Sequence, residues 1–141
     1  MRVILIDDST LFLDTLAKQL ARNPLVQIVG RATNGPDGLR LAQELKPDLA
    51  IVDLAMPDMN GLEVTHGLKH LAQPPLVVMV SMYDEPEYRE GAQLMGVDAY
   101  IAKKNVHAEL GPLLIRLNGA SLPPAARFVG KHIAQPSNYN P

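Results

Sequence analysis

The protein has 141 residues, of which 47% are hydrophobic and 20% charged, as expected for one soluble globular domain with a sizeable core. Its formal net charge of -2 provides no overall basic field that would attract nucleic acid or anionic lipid. It contains no cysteine, which excludes disulfides, thiolate metal sites and a cysteine nucleophile.

The apolar stretches of the chain are short. The longest contains about five residues, whereas roughly 20 are needed to cross a bilayer. The N-terminal stretch "MRVILIDD" meets two acids before it could form the apolar part of a signal peptide. We therefore expect a cytoplasmic protein that makes no contact with membranes.

Five runs rich in Val, Ile and Leu recur along the chain, each bounded by polar residues, Gly or Pro. Because their apolar residues are continuous rather than alternating, we expect strands that are buried on both faces. The predicted strands cover residues 3–6, 26–30, 49–53, 75–80 and 99–102.

A segment with helical spacing of apolar residues follows each predicted strand. The first has a suitable N-cap in Ser9. In the last, Gly111-Pro112 should kink or restart the helix, because proline removes a helical hydrogen bond. The apolar face of the first helix is predicted to contain Leu11, Leu13, Leu16 and Leu20. The predicted helices cover residues 9–23, 36–45, 62–71, 86–95 and 106–117.

Strand and helix alternate five times, which predicts an α/β fold: a doubly wound five-stranded parallel sheet with helices on both faces. Five strands in this length favour the flavodoxin-like strand order 2-1-3-4-5. From residue 118 onward the sequence becomes rich in Pro, Asn and Ser. We expect one domain over residues 1–117, then a linker or tail over 118–141 with one short helix near 124–134.

Polar residues stand at the carboxyl ends of four predicted strands. Asp7 and Asp8 follow the first strand and Asp53 ends the third, while Ser81 and Lys103 follow the fourth and fifth. Each residue alone is commonly a turn former or a solvated side chain. Because parallel strands present their carboxyl ends at one rim, however, all five should converge near the point where the strand order reverses.

Three neighbouring carboxylates repel one another unless a cation neutralises them. Oxygen-only ligation suits Mg²⁺, and Lys103 adds a second positive charge. Magnesium, a lysine and a hydroxyl are the groups that hold a transferring phosphoryl group. An aspartate can itself accept that group as an aspartyl phosphate, and Asp53, between the two positive charges, is the candidate acceptor.

Four stretches carry a specific pattern: "VILIDDS" (3–9), "LAIVDLAMPDMNGLEV" (49–64), "VVMVSMYD" (77–84) and "GVDAYIAKK" (96–104). Together they resemble the receiver domain of two-component response regulators, over residues 2–117. The resemblance implies a signalling switch that takes a phosphoryl group from a sensor histidine kinase or phosphotransfer protein and then controls a partner or output domain. It implies no enzyme activity beyond its own phosphoryl transfer and slow autodephosphorylation.

The resemblance also implies the metal site. Asp53 would accept the phosphoryl group and help to ligate Mg²⁺. Asp8 would ligate Mg²⁺ directly and Asp7 mainly through water, and the backbone carbonyl of Ala55 would be a further ligand.

The remaining implied roles concern phosphate binding and the switch. Ser81 would hydrogen-bond the phosphoryl group and Lys103 would pair with it. Tyr100 would be the aromatic switch, turned outward in the inactive form and inward after Ser81 moves. Pro57 and Gly61 would shape the loop after Asp53.

Two positions in that loop are predicted from turn chemistry. Asn60-Gly61 is a turn signal that leads into the next helix. Asp58 is expected to be a turn or cap residue rather than a metal ligand.

Several residues depart from the usual pattern of the family. Lys104 stands where many members have proline, so a cis peptide bond is not expected after Lys103. Ala55 and Tyr83, beside the expected phosphate position, carry neither a carboxylate nor an amide, and Met82 is larger than usual. We therefore expect slow self-dephosphorylation and poor access for small phosphodonors.

The sequence resembles most the receivers that precede a DNA-binding helix-turn-helix, although no such motif is present in the 141 residues. We expect either a stand-alone receiver or one cut from a longer regulator, without direct nucleic-acid binding by this chain. A homodimer through helices 1 and 5, or through helix 4, strand 5 and helix 5, is plausible.

Three other functions compete with this interpretation. A haloacid-dehalogenase-like phosphatase would need an aspartate at the position of Ala55. A flavodoxin-like FMN carrier would need a Ser/Thr-rich phosphate loop where "DDSTLF" stands. The main alternative is a pseudo-receiver, an interaction module that keeps the fold without being phosphorylated.

Overall fold

The computed structural model of the protein describes residues 1–119. Its strands are β1 (Arg2–Ile6), β2 (Gln27–Ala32), β3 (Leu49–Asp53), β4 (Leu76–Ser81) and β5 (Ala99–Ala102). Its helices are α1 (Thr10–Ala21), α2 (Gly35–Leu45), α3 (Gly61–Lys69), α4 (Pro86–Leu94) and α5 (Val106–Asn118), with a 3₁₀ turn (Lys103–Asn105) between β5 and α5. The helix predicted near 124–134 lies outside the described residues.

The strands form one parallel sheet in the order β2-β1-β3-β4-β5, which confirms the predicted fold. Each predicted strand and helix within the first 119 residues is present, with ends displaced by no more than two residues. β2 lies on one side of β1, whereas β3, β4 and β5 follow in order on its other side, so the strand order reverses between β1 and β3. The crevice above the carboxyl ends of these two strands is the usual ligand site of such a sheet.

A hydrophobic cluster lies on each face of the sheet. One packs α1 and α5 against the sheet, and the other contains buried residues of α2, α3 and α4. All five residues of β3 are buried, because helices cover both faces of the central strands. No helix within residues 1–119 has the length and apolar character needed to cross a membrane.

Two predictions about helices were wrong in detail. Leu11 does not join the buried face of α1: its exposed fraction is 77%, because a separation of two residues places it almost opposite Leu13. Of the kink or restart predicted at Gly111-Pro112, the restart is absent, since α5 continues through Pro112, and the kink stays a prediction. Leu110 and Leu113, on either side of Pro112, are completely buried, and this packing outweighs the hydrogen bond that proline removes.

Candidate functional site

Three carboxylates meet at the carboxyl ends of β1 and β3 and form an acidic cluster (Asp7, Asp8 and Asp53). Each offers one oxygen, and these oxygens all lie within 4.8 Å of one another. Asp7 and Asp53 are buried, whereas Asp8 is exposed. The cluster could therefore hold a metal ion, and Asp8 is its solvent-exposed member.

The turn between β1 and α1 fixes the orientation of Asp7. Its backbone N–H donates to the carbonyl of Ala32 on β2 (3.1 Å), and its Oδ1 accepts from the N–H of Ser9 (2.8 Å). Ser9 is also the predicted N-cap of α1, where its hydroxyl accepts from the N–H of Phe12. One short turn thus starts the helix and holds the carboxylate in place.

Lys103 extends from the 3₁₀ turn after β5 into the acidic cluster. Its Nζ lies 2.8 Å from Oδ2 of Asp7 and 3.4 Å from Oδ1 of Asp53. The same ammonium group lies 4.2 Å from the centre of the Phe12 ring, so a cation–π contact also favours this position. The structure thus joins Lys103 to the two buried acids, as predicted from the strand ends.

Asp53 is held in an environment that disfavours its charged form. Burial, followed by the negative charge of Asp7, raises the pKa of Asp53 to about 7, although Lys103 acts in the opposite direction. Lys103 therefore does not fully neutralise the acidic cluster. An oxygen-only donor set with excess negative charge is what a hard divalent cation requires, and these residues fit such an ion.

The loop after β3 approaches Asp53 so closely that it requires glycine at its end. A Cβ on Gly61 would lie 2.3 Å from the backbone carbonyl oxygen of Asp53, and the N–H of Gly61 donates to the carbonyl of Leu54 (2.7 Å). Asn60 caps α3 reciprocally with Glu63, which confirms the predicted turn.

Three further residues of this loop were singled out from the sequence. Asp58 has a φ of 70° and lies outside the acidic cluster, as expected for a turn residue. Pro57 contributes its carbonyl to the turn, accepting from the N–H of Met59 (2.8 Å). Ala55 is exposed, and ligation by its carbonyl stays a prediction.

Ser81 and Tyr100 lie on neighbouring strands and are connected through Tyr83. Both Ser81 and Tyr100 are completely buried. The hydroxyl of Ser81 accepts from the N–H of Tyr83 (3.0 Å), and the hydroxyl of Tyr100 donates to the carbonyl of Tyr83 (2.6 Å). Burial raises the pKa of Tyr100, and the neighbouring hydroxyl of Ser81 partly offsets this. The structure describes the inward position of Tyr100; the outward one stays a prediction.

Comparison with known proteins identifies the family of the chain. The family model of the response regulator receiver domain matches residues 3–114. The chain belongs to this family. The transcriptional regulatory protein LiaR of Bacillus subtilis is 34% identical over 78% of this chain and 52% of its own length. A protein-glutamate methylesterase/protein-glutamine glutaminase of Koribacter versatilis is 32% identical over 71% of this chain and 27% of its own length.

A solved receiver domain shares the fold as well. The signal receiver domain of the response regulator NarL from Mycobacterium tuberculosis superimposes with a TM-score of 0.78 at 28% identity, covering 84% of this chain and 96% of that one. The predicted family is thus confirmed, and the phosphatase and FMN-carrier interpretations are set aside. The chain spans about half the length of LiaR and about a quarter of the methylesterase.

Two side chains at the rim of the receiver site were expected to restrict access. Met82 has an exposed fraction of 82% and therefore makes few contacts with the rest of the domain. The ring of Tyr83 stacks on Tyr88 of α4, with 4.8 Å between ring centres. Their effect on the entry of phosphodonors and water stays a prediction.

Sequence reasoning missed Arg89 of α4. Its guanidinium donates to Asp84 through Nε (3.0 Å) and Nη2 (2.6 Å), and to the carbonyl of Tyr100 through Nη1 (3.1 Å). A signal was present in the sequence, because Arg89 precedes Ala92 by three residues and so shares the buried face of a helix that is otherwise polar. These contacts form the Tyr100 cluster, which consists of Ser81, Tyr83, Asp84, Arg89 and Tyr100.

Proposed function

We propose that this receiver domain is a Mg²⁺-dependent switch that accepts a phosphoryl group on Asp53 from a histidine kinase or phosphotransfer protein. The observation that carries the proposal is the convergence of Asp7, Asp8 and Asp53 within 4.8 Å, with the ammonium of Lys103 against two of them. An ordinary solvated turn would not bury two of these acids beside a lysine.

Asp7, Asp8 and Asp53, with the carbonyl of Ala55, would hold Mg²⁺. Bound there, the ion would supply positive charge between the acids and the incoming phosphoryl group. Lys103 already pairs with Asp7, so Asp8 is the acid more available for direct ligation. This agrees with the direct role expected for Asp8 and the water-mediated role expected for Asp7.

In the transfer, an Asp53 carboxylate oxygen forms a bond to phosphorus as the phosphorus–nitrogen bond of the donor phosphohistidine breaks. The imidazole nitrogen leaves with the electron pair of that bond and takes up a proton from solvent. Lys103, 3.4 Å from Asp53, is placed to stabilise the negative charge that spreads over the phosphoryl oxygens. Asp53 attacks in its ionised form, which the neighbouring positive charges favour.

The conformational response would run through the Tyr100 cluster. A phosphoryl oxygen would accept a hydrogen bond from the Ser81 hydroxyl and draw it toward Asp53, which would lengthen the bond that this hydroxyl accepts from the N–H of Tyr83. The hydroxyl of Tyr100 donates to the backbone carbonyl of the same Tyr83. Movement of Ser81 would therefore shift this carbonyl and change the hydrogen bond that holds the Tyr100 ring.

We propose further that residues 1–117 are the phosphoacceptor unit and that 118–141 connect it to a partner or output domain. The domain would not be an enzyme with a substrate of its own and would not contact nucleic acid directly. A homodimer through α1 and α5 is supported by exposed apolar side chains on those helices, Leu11 and Ile115. The face formed by α4, β5 and α5 is the second candidate.

The test is intact-mass measurement after incubation with a small phosphodonor and Mg²⁺. The wild type should gain one phosphoryl group and Asp53→Asn should gain none. Asp58→Asn is the matched control, because it removes a carboxylate five residues away at a φ that Asn tolerates, and it should be modified like the wild type. Modification of Asp53→Asn at the wild-type level would refute the assignment. No modification of the wild type by a small phosphodonor or by a phosphohistidine-carrying phosphotransfer protein would instead indicate a pseudo-receiver.

A further inference from the structure

Within residues 1–119, Arg89 is the one buried cation. The exposed fraction of its side chain is 8%, although it belongs to a polar surface helix. Burial of a guanidinium is costly unless its donors are satisfied. The groups that satisfy this one therefore indicate what Arg89 contributes to the domain.

Arg89 joins three elements of the Tyr100 cluster. Two of its nitrogens bind Asp84, in the loop that follows β4. A third binds the backbone carbonyl of Tyr100 on β5. Its guanidinium carbon also lies 4.9 Å from the centre of the Tyr100 ring, within the range of a cation–π contact.

These contacts distinguish the inward from the outward position of Tyr100. Two contacts require the Tyr100 ring to be inward: its cation–π contact with Arg89 and the hydrogen bond that its hydroxyl donates to the carbonyl of Tyr83. Asp84 directly follows Tyr83, so the two hydrogen bonds that it accepts from Arg89 fix the loop that carries the carbonyl acceptor. An outward ring would lose both contacts and leave the guanidinium beside an empty space.

We propose that Arg89 is a positioning residue that favours the inward form of Tyr100 and thereby strengthens phosphate binding at Asp53. The proposal rests on the function proposed above. The coupling is reciprocal: if phosphate at Asp53 favours the inward ring, a residue that favours the inward ring must in turn favour phosphate binding.

The matched control is Lys104, which contacts the same carboxylate from solvent. Its Nζ lies 3.9 Å from the second oxygen of Asp84, and its side chain is largely exposed. Lys104→Met removes a positive charge beside Asp84 without touching Tyr100. Arg89→Met removes the charge together with all contacts to Tyr100.

The first readout is the position of the Tyr100 ring, measured by ¹⁹F NMR on the full chain labelled with 3-fluorotyrosine. The chain has four tyrosines, and Tyr100→Phe assigns the resonance by its loss. In Arg89→Met this resonance should move toward the chemical shift of solvent-exposed fluorotyrosine, whereas Lys104→Met should leave it in place. Saturating beryllofluoride with Mg²⁺ should return the Arg89→Met resonance to the inward position.

The second readout is the beryllofluoride concentration that half-saturates the Asp53 site at fixed Mg²⁺. We expect Arg89→Met to raise it by roughly three- to tenfold and Lys104→Met to leave it unchanged. Arg89→Lys keeps the charge but not the planar fork, so it should fall between the wild type and Arg89→Met. If Arg89→Met does not fold, Asp84→Asn provides the smaller change in the same direction.

Unchanged resonance and unchanged half-saturation in a folded Arg89→Met protein would overturn the proposal. A result in which Tyr100 moves in Arg89→Met but the wild type binds no beryllofluoride would have a different meaning. It would support the positioning role of Arg89 and refute the proposed function of the domain.

Discussion

The acidic cluster and the Tyr100 cluster lie at the same rim of the sheet but are held by different forces. In the acidic cluster, charged groups are fixed by strand ends and by tight backbone turns, and one of them, Asp53, is held in a poorly solvated position. In the Tyr100 cluster, one aromatic ring is held by the hydrogen bond of its hydroxyl to the carbonyl of Tyr83 and by the cation–π contact with Arg89. The first arrangement suits chemistry at a fixed point, and the second suits a side chain with two positions.

The largest effect expected at the acidic cluster is on stability. Because the folded-state pKa of Asp53 is raised from 3.8 to about 7, the folded protein binds its proton more tightly than the unfolded chain does. Ionisation of Asp53 therefore lowers the free energy of unfolding as pH rises from about 4 to about 7, and the loss is complete above that window. Asp53→Asn should raise the free energy of unfolding at pH 8 by about 2–4 kcal/mol without metal, and by much less at pH 4.

Urea unfolding of both proteins in a metal chelator at the two pH values would measure this difference. Lys103→Met should act in the opposite direction at pH 8, because it leaves two buried acids without their cation. Equal free energies of unfolding for Asp53→Asn and the wild type at pH 8 would mean that ionised Asp53 does not destabilise the fold. The acidic cluster would then hold no poorly solvated charge that sets it apart from the Tyr100 cluster.

The next prediction compares the backbone of the two regions. Gly61→Ala should lower the free energy of unfolding by about 2 kcal/mol, because its Cβ would press on the Asp53 carbonyl oxygen at 2.3 Å. Gly91→Ala in α4 has nothing within 4 Å of the new Cβ and should raise it by about 0.5–1 kcal/mol. Thermal unfolding of both variants checks the pair, and a stabilising Gly61→Ala would show that the loop after β3 can give way.

The smallest expected effect concerns the lifetime of the phosphorylated state. Ala55 and Tyr83 offer no carboxylate or amide to orient a water molecule, and the ring of Tyr83 stacks on Tyr88. A double variant, Ala55→Asn with Tyr83→Glu, should lose its phosphoryl group about ten times faster than the wild type. A time course of intact-mass measurements gives the rate of phosphate loss for both proteins. Equal rates would mean that residues 55 and 83 do not control hydrolysis of the aspartyl phosphate.

The difference between the regions also explains what the sequence could predict. Asp7, Asp53 and Lys103 follow strands, and parallel strands necessarily bring their carboxyl ends together, so the acidic cluster follows from element order. The inward position of Tyr100 and the partners of Arg89 depend on side-chain rotamers, which strand order does not determine. Leu11 shows the same limit on a smaller scale. Its apolar side chain suits the core, but its position around the helix axis turns it toward solvent.

The most direct test of the central claim is to locate the phosphoryl group in the wild-type chain. After treatment with a phosphodonor and Mg²⁺, borohydride reduces an aspartyl phosphate to homoserine, and mass spectrometry of proteolytic peptides then identifies the position. We expect homoserine at residue 53 alone. Homoserine at residue 7, 8 or 58 instead, or an unmodified residue 53 in phosphorylated protein, would contradict it.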